Sequence, residues 1–178
     1  MKKNEVLIII SSPRKKSNSA FAAIKLSEKI NSMSPAIINV NDFNIKPCRA
    51  CFNCGRNFKC CIKDDFEKIM NFVNEAKIII VASPIYFTGV PGQFKNFIDR
   101  NQQQWEKYKK GLLKKRPKTG YIILTAGADK RKYFKPAESE IKSFFAVNNV
   151  KCKKILRFGN MDEPGKIKEK QYVKKLKI

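Results

Sequence analysis

The sequence predicts an α/β protein: a doubly wound, five-stranded parallel sheet with helices on both faces. Two observations carry this. Short, unbroken apolar runs rich in β-branched residues recur, as in Val6-Leu7-Ile8-Ile9-Ile10 and Ile78-Ile79-Ile80-Val81-Ala82. Runs of that kind suit strands covered on both faces, the situation in a parallel sheet with crossover helices. Segments with apolar residues at helical spacing lie between them, so the order reads βαβαβαβαβ.

Taken in order, Val6 to Ile10 is the first strand, followed by the polar loop Ser11 to Ser19. Ala20, Ala23, Ile24, Ser27 and Ile30 then mark one face of a helix. Ala36 to Val40 is a short second strand ending at Asn41-Asp42, and residues 43–63 form a cysteine-rich insert without evident regular structure. Asp64 and Glu67 stand at capping-box spacing. Behind them Phe66, Ile69, Met70 and Val73 give an i, i+3, i+4, i+7 face. Lys77 to Ala82 is the third strand and Ser83 to Gly89 a loop. Pro91 suits the first turn of a helix that Phe94, Phe97, Ile98, Asn101 and Trp105 continue. Gly120 to Thr125 is the fourth strand, and Pro136 opens a helix carrying Ala137, Ile141, Phe144 and Phe145. Val150 to Phe158 alternates more than the others, as an edge strand does, and the basic tail carries one short helix near its end.

The 178 residues suit one domain, 1–178, with a sizeable core. No run approaches the roughly 20 apolar residues of a membrane span, and the apolar stretch after Met1-Lys2-Lys3-Asn4-Glu5 is too short for a signal-peptide core. No membrane association and a cytoplasmic location are the expectation. The formal charge of +23 comes from 38 basic and 15 acidic residues. The lysines are dispersed, which favours a solvated basic surface; the densest stretch, Lys107 to Lys118, reads as an exposed loop. Histidine is absent, which excludes a Ser-His-Asp triad, a Cys-His pair and His-ligated zinc.

In a doubly wound sheet, ligands sit beyond the carboxyl ends of the strands where strand order reverses. The loops after strands one, three and four are therefore the ones to read. The first, Ser11-Ser12-Pro13-Arg14-Lys15-Lys16-Ser17-Asn18-Ser19, is dense in hydroxyls, an amide and cations and leads into a helix N-terminus. Outward-facing backbone N–H groups make such a place a ready anion site. It has neither Walker nor G-x-G-x-x-G spacing, and an ordinary capped helix start would also explain it. The loop Ser83 to Gly92 places Pro84, Ile85, Tyr86 and Phe87 at a strand end, fit either for core packing or for walling a flat ring.

Cys48-x2-Cys51-x2-Cys54-x5-Cys60 is followed at once by Cys61, while Cys152 stands alone in the last strand as a small hydrophobe. Clustering of this kind favours metal or redox chemistry over disulfides in a cytoplasmic chain. Successive x2 steps look more like an iron–sulfur run than paired zinc arms, with zinc and reactive thiols as the alternatives.

Together these segments resemble the NADPH-dependent FMN reductase family, which is flavodoxin-like, and within it the iron–sulfur flavoprotein branch. The family's first loop reads roughly G-S-P-R-x-x-G-N-T, against Ser11 to Ser19 here. The branch's C-x2-C-x2-C-x5-C segment running into I-K-D-D is matched by Cys48 to Cys60 and Ile62-Lys63-Asp64-Asp65. Its P-[IV]-Y-[FW] and K-x-F-[IL]-D-R motifs are matched by Pro84 to Phe87 and Lys95 to Arg100. Both glycines of the phosphate loop are serines here, Ser11 and Ser17, and a serine forced to φ > 0 would be strained. The resemblance implies that Ser12, Arg14, Ser17, Asn18 and Ser19 hold an FMN phosphate, and that Pro84, Ile85, Tyr86 and Phe87 line the isoalloxazine. Thr125, Ala126 and Gly127 complete the third loop. By the same resemblance, Cys48, Cys51, Cys54 and Cys60 would ligate a [4Fe–4S] cluster, with Cys61 as a spare that could replace Cys60. The implied activity is FMN-dependent electron transfer between NAD(P)H or a ferredoxin and an acceptor, in a homodimer or homotetramer. The alternative is a plain NAD(P)H-dependent FMN or quinone reductase without the cluster. A zinc-stapled nucleic-acid-binding module explains the charge and the cysteines but neither ligand loop, so nucleic acid is not an expected partner.

Overall fold

The computed structural model describes residues 5–30, 35–113 and 117–176. Five parallel strands form one sheet in the order β2-β1-β3-β4-β5. They are β1 (Val6–Ile10), β2 (Ala36–Asn39), β3 (Ile78–Pro84), β4 (Lys118–Thr125) and β5 (Val150–Phe158). This is the flavodoxin-like order, with its switch point between β1 and β3. Every residue of β1 is buried, as its unbroken apolar run requires, and β5 is an edge strand as its alternation implies.

Seven α-helices are described: α1 (Asn18–Ile30), α2 (Asn53–Asn57), α3 (Phe66–Glu75), α4 (Gly92–Asp99), α5 (Gln102–Lys109), α6 (Arg131–Val147) and α7 (Lys170–Lys175). On one face of the sheet, Ile69, Met70, Val73, Phe94, Phe97, Phe144 and Phe145 pack with Leu7, Ile9, Ile79 and Ile122. On the other, Ala22, Ala23 and Leu26 pack with Ile8, Ile80, Ile123, Ile167 and Leu176. The basic tail thus supplies core residues to the α1 face.

Several boundaries differ from the sequence expectation. The buried face of α1 is centred on Ala22, Ala23, Leu26 and Ser27, and Ile24 is exposed. Ala22 and Leu26, four residues apart, meet the sheet together, which turns Ile24 outward. The second strand stops at Asn39 because its side chain accepts from the Asn41 backbone N–H and opens a 3-10 turn, Val40–Asp42. The cysteine-rich insert contains α2. The capping box does not form: Asp64 accepts the Phe66 N–H, while Glu67 accepts from Gln103 Nε2. The expected long helix after Pro91 breaks between α4 and α5. There the Asn101 amide donates to the Phe97 carbonyl at 2.7 Å and accepts from Asn148 at 3.0 Å. Pro136 lies inside α6 rather than at its start. It is exposed there, and it leaves the backbone carbonyl four residues earlier without its helical N–H partner. The start of the basic run forms the end of α5, residues 114–116 and the N-terminal 1–4 lie outside the described residues, and Lys118 begins β4. No helix among the described residues is long and apolar enough to cross a membrane.

Candidate functional site

The carboxyl ends of β1, β3 and β4 come together on one cleft. Ser12, Arg14, Ser17 and Asn18 line it from the first loop, Pro84, Ile85 and Tyr86 from the second, and Thr125, Ala126 and Gly127 from the third. Register explains the convergence: Ser11 N–H donates to the Ala82 carbonyl at 3.0 Å, Pro84 pairs with Thr125, and Ile85 N–H donates to Thr125 O at 2.8 Å. From β2, the Asn39 amide donates to Ser12 O and the Asn41 amide to Ser11 O, at 3.1 and 3.2 Å. Ser17 caps α1, its hydroxyl accepting the Ala20 N–H at 3.3 Å. Neither Ser11 nor Ser17 has positive φ, so the two serines stand in the glycine positions without backbone strain.

Two of the expected cleft residues stand elsewhere. Ser19 is fully buried beneath the loop, its hydroxyl 2.8 Å from that of Ser17. Phe87 is fully exposed at the tip of a turn closed by Tyr86 and Gly89, and has φ of 46°. Glu140 of α6 braces that turn by accepting the Val90 N–H at 3.1 Å.

The sequence reading missed the fourth wall, the segment after β5. Met161, Asp162 and Pro164 line the cleft. The Asn18 amide donates to the carbonyls of Met161 and Glu163 at 3.1 and 2.8 Å, and its oxygen accepts the Gly165 N–H at 2.9 Å. A Cβ at Gly127 would lie 2.3 Å from an Asp162 carboxylate oxygen, so glycine there admits the segment. Asn18 was the signal available in sequence, but its partners are backbone atoms about 145 positions away, which no local pattern reveals. The cleft itself measures about 60 Å³.

The five clustered cysteines line a second, larger cavity of about 430 Å³ between the insert and α5, with Phe52, Trp105 and Arg100. The neck of the insert is pinned shut. Lys46 N–H donates to Asp64 at 2.9 Å, Asn44 N–H to Asp65 at 2.9 Å, and Asp65 N–H to Asn44 O at 3.1 Å. Arg100, only 2% exposed, donates to both Asp64 oxygens and to the carbonyls of Lys46 and Ile62. Its guanidinium lies 4.9 Å from the centre of the Phe66 ring. Burial alone would push the Asp64 carboxyl up, but Arg100 and the N–H groups of Lys46 and Phe66 outweigh it and hold it below its ordinary value. From α5, Gln103 accepts the Cys60 N–H at 2.9 Å and donates to Glu67 at 2.8 Å.

Within the insert, Ala50, Phe52 and Phe58 have φ of 50°, 55° and 59°. Left-handed backbone at non-glycine residues costs on the order of 1–3 kcal/mol each and gathers where a ligand or a switch demands it. Cys51 and Cys61 sulfurs are 3.4 Å apart. The Asn53 backbone N–H and the Cys61 thiol lower the Cys51 pKa, whereas the same sulfur contact raises that of Cys61. Burial pushes the Cys54 thiol up. Among the described residues, no three His, Cys, Asp or Glu side chains converge on a single metal position. Cys152 sits apart, half-buried in β5.

A cleft at the switch point of a flavodoxin-like sheet, where the loops after the strands converge, is where α/β proteins of this class take up ligands. The chain belongs to the NADPH-dependent FMN reductase family, whose model matches residues 4–154. Among curated relatives it is 34% identical over 100 residues to an iron–sulfur flavoprotein of Archaeoglobus fulgidus, covering 55% of this chain and 49% of that one. It is 33% identical over 103 residues to one of Methanocaldococcus jannaschii, covering 55% and 52%. The chain therefore spans about half the length of the curated relatives it matches. In fold it is similar to a Trp repressor binding protein from Bacillus subtilis, with a TM-score of 0.64, 17% identity and 96% and 94% of the two chains covered. It is equally similar to an NAD(P)H:quinone oxidoreductase from Methanothermobacter marburgensis, with a TM-score of 0.64, 14% identity and 96% and 92% covered.

Proposed function

We propose that this chain is an FMN-dependent oxidoreductase of iron–sulfur flavoprotein type, passing electrons between NAD(P)H or a ferredoxin and an acceptor. The observation that carries the reading is the single cleft at the β1/β3 switch point. It gathers every candidate flavin-site residue except Ser19 and Phe87.

The donor set fits a phosphorylated flavin. Ser12 and Ser17 offer hydroxyls and Arg14 a guanidinium beside the start of α1, where backbone N–H groups favour an anion. A whole-ligand pocket runs to roughly 300–1,000 Å³, so a cleft of about 60 Å³ encloses only part of a flavin nucleotide; the first loop would hold its phosphate, and Pro84, Ile85, Tyr86 and the third loop would hold its ring. Asn18 serves the site by tying down the segment after β5 rather than by contacting the anion, since its donors and acceptor are already engaged.

The five thiols fit a cluster by softness and spacing. Cys48, Cys51, Cys54 and Cys60 supply the four ligands, and the strained insert backbone is the kind of shape a bound group holds in place. When bound, FMN supplies hydride and one-electron chemistry and the cluster one-electron steps, while the protein positions both and tunes them. The charge of +23 suits an acidic electron carrier. Exposed Phe52, Phe87, Trp105 and Tyr108 suit burial in a homodimer or homotetramer.

The second reading is a flavin or quinone reductase without the cluster. The 3.4 Å contact of Cys51 with Cys61 favours it, because two of the thiols lean on each other. The deciding experiment is an absorption spectrum of anaerobically purified protein, with iron and acid-labile sulfide assayed on the same sample. Flavin bands with about four irons per chain support the two-cofactor reading. Flavin without iron selects the simple reductase, and protein that takes up no FMN overturns both.

A further inference from the structure

We propose that Arg100 is a positioning residue for the cysteine site, a buried cation that raises the reduction potential of the anionic group held there, opposed by its partner Asp64. The inference rests on the reading of the insert as cluster-bearing and goes beyond it by naming what sets the potential.

The geometry is specific. Arg100 leaves the end of α4 where the helix breaks, and its side chain reaches into the wall of the thiol-lined cavity. Both Nη atoms are spent on the neck, on Asp64 and on the carbonyls of Lys46 and Ile62. The Nε–H is buried and has no hydrogen-bond partner among the described residues, an unusual state for a group so costly to desolvate. Cys60 and the other clustered thiols line the same cavity as Arg100. An arginine used only to close a loop would not need to stand in the cavity wall beside a thiol. A buried ion pair is also weak as a stabilising device compared with apolar packing.

The electrostatic consequence follows from sign alone. A cluster bound by four thiolates is anionic and becomes more so on reduction, and its potential responds to nearby charge and to hydrogen bonds on sulfur. A fixed cation favours the reduced state, and burial protects that effect from salt. Asp64 acts the other way. Removing one charge or the other therefore moves the potential in opposite directions, whereas a purely structural role predicts that both changes loosen the same neck and act alike.

The test is an anaerobic redox titration of wild type, Arg100→Gln, Arg100→Lys and Asp64→Asn, with iron and sulfide counted on every sample. The expected result is a lowered cluster potential in Arg100→Gln, a raised one in Asp64→Asn, and Arg100→Lys nearer to wild type than Arg100→Gln. Shifts of the same sign in Arg100→Gln and Asp64→Asn, or none, overturn the proposal while leaving the cluster reading intact. If Arg100→Gln does not retain iron, Asp64→Asn decides: a potential at or below wild type overturns the proposal. Wild-type protein that takes up no iron or sulfide on reconstitution overturns the cluster reading, and this inference with it.

Discussion

Gln103 and Cys60 are joined across the boundary between α5 and the cysteine insert, the Gln103 side-chain oxygen accepting the Cys60 backbone N–H at 2.9 Å. The other end of that amide donates to Glu67 at the start of α3. One buried glutamine thus fixes a cysteine to two helices. Gln103→Ala strips Cys60 N–H and Glu67 of a partner at once. The expected loss is about 1–3 kcal/mol of unfolding free energy, read by urea titration, with faster hydrogen exchange at the Cys60 amide. Unchanged exchange at Cys60 would refute the clamp.

On the proposed reading, Arg14 separates phosphate binding from ring binding. A hydrogen bond to a charged group contributes about 1.5–3 kcal/mol. Arg14→Ala should therefore weaken FMN binding by roughly 10- to 150-fold and leave riboflavin affinity nearly unchanged, as measured by flavin fluorescence titration. Equal losses for the two flavins would place Arg14 away from the phosphate.

Asn18→Asp replaces an amide donor, set between two backbone carbonyls, with a carboxylate that repels both. The segment after β5 should come loose. The expected readout is rapid limited proteolysis near residues 160–168, with a stability loss of about 1–3 kcal/mol. Asn18→Asp as resistant to protease as wild type would show that the amide is not what holds the strap.

Gly120 and Gly127 should respond differently to alanine. At Gly120 a Cβ would meet Phe145 Cε2 at 2.4 Å and Val150 Cγ1 at 2.7 Å inside the core, where overpacking costs about 1–3 kcal/mol. At Gly127 the clash is with the far end of Asp162, which can swing away. Thermal denaturation should show a large drop for Gly120→Ala and a small one for Gly127→Ala.

Acid sensitivity has a definite sign. Asp64 is held below its ordinary value of 3.8, and Arg157 holds Glu138 below its ordinary 4.5. A carboxyl depressed on folding contributes stability that is fully present above its unfolded value and is lost as pH falls through its folded one. Wild type should therefore lose stability below about pH 4, and Asp64→Asn should lose less over the same range. Parallel pH profiles for the two proteins would remove Asp64 from the account.

The sheet was legible because β1 and β3 are short apolar runs rich in β-branched residues, too short for a buried helix and suited to a strand covered on both faces. The loops that meet at the cleft were legible because a parallel sheet delivers its strand ends to one place. What escaped the reading was set by tertiary partners. The break between α4 and α5 depends on Asn101 meeting Asn148, and the fourth wall of the cleft on Asn18 meeting backbone carbonyls. Pro136 misled because its preference for a first helical turn is overridden here by the packing of Phe134 ahead of it and Ala137, Ile141, Phe144 and Phe145 behind it on one buried face of α6. Arg100 was visible only as part of a motif; its role at the neck needed the positions of Lys46, Ile62 and Asp64.

The pinned neck has an evolutionary and an engineering meaning. Lys46 and Asp64 stand within hydrogen-bonding distance, so the chain leaves the sheet scaffold and returns to it at nearly the same point. The intervening stretch behaves as a cartridge: a tight turn in its place would keep the strand order and both cores. A lineage can then lengthen, shorten or replace this cysteine-bearing stretch by editing one short span of coding sequence, with the α/β fold inherited unchanged beneath it.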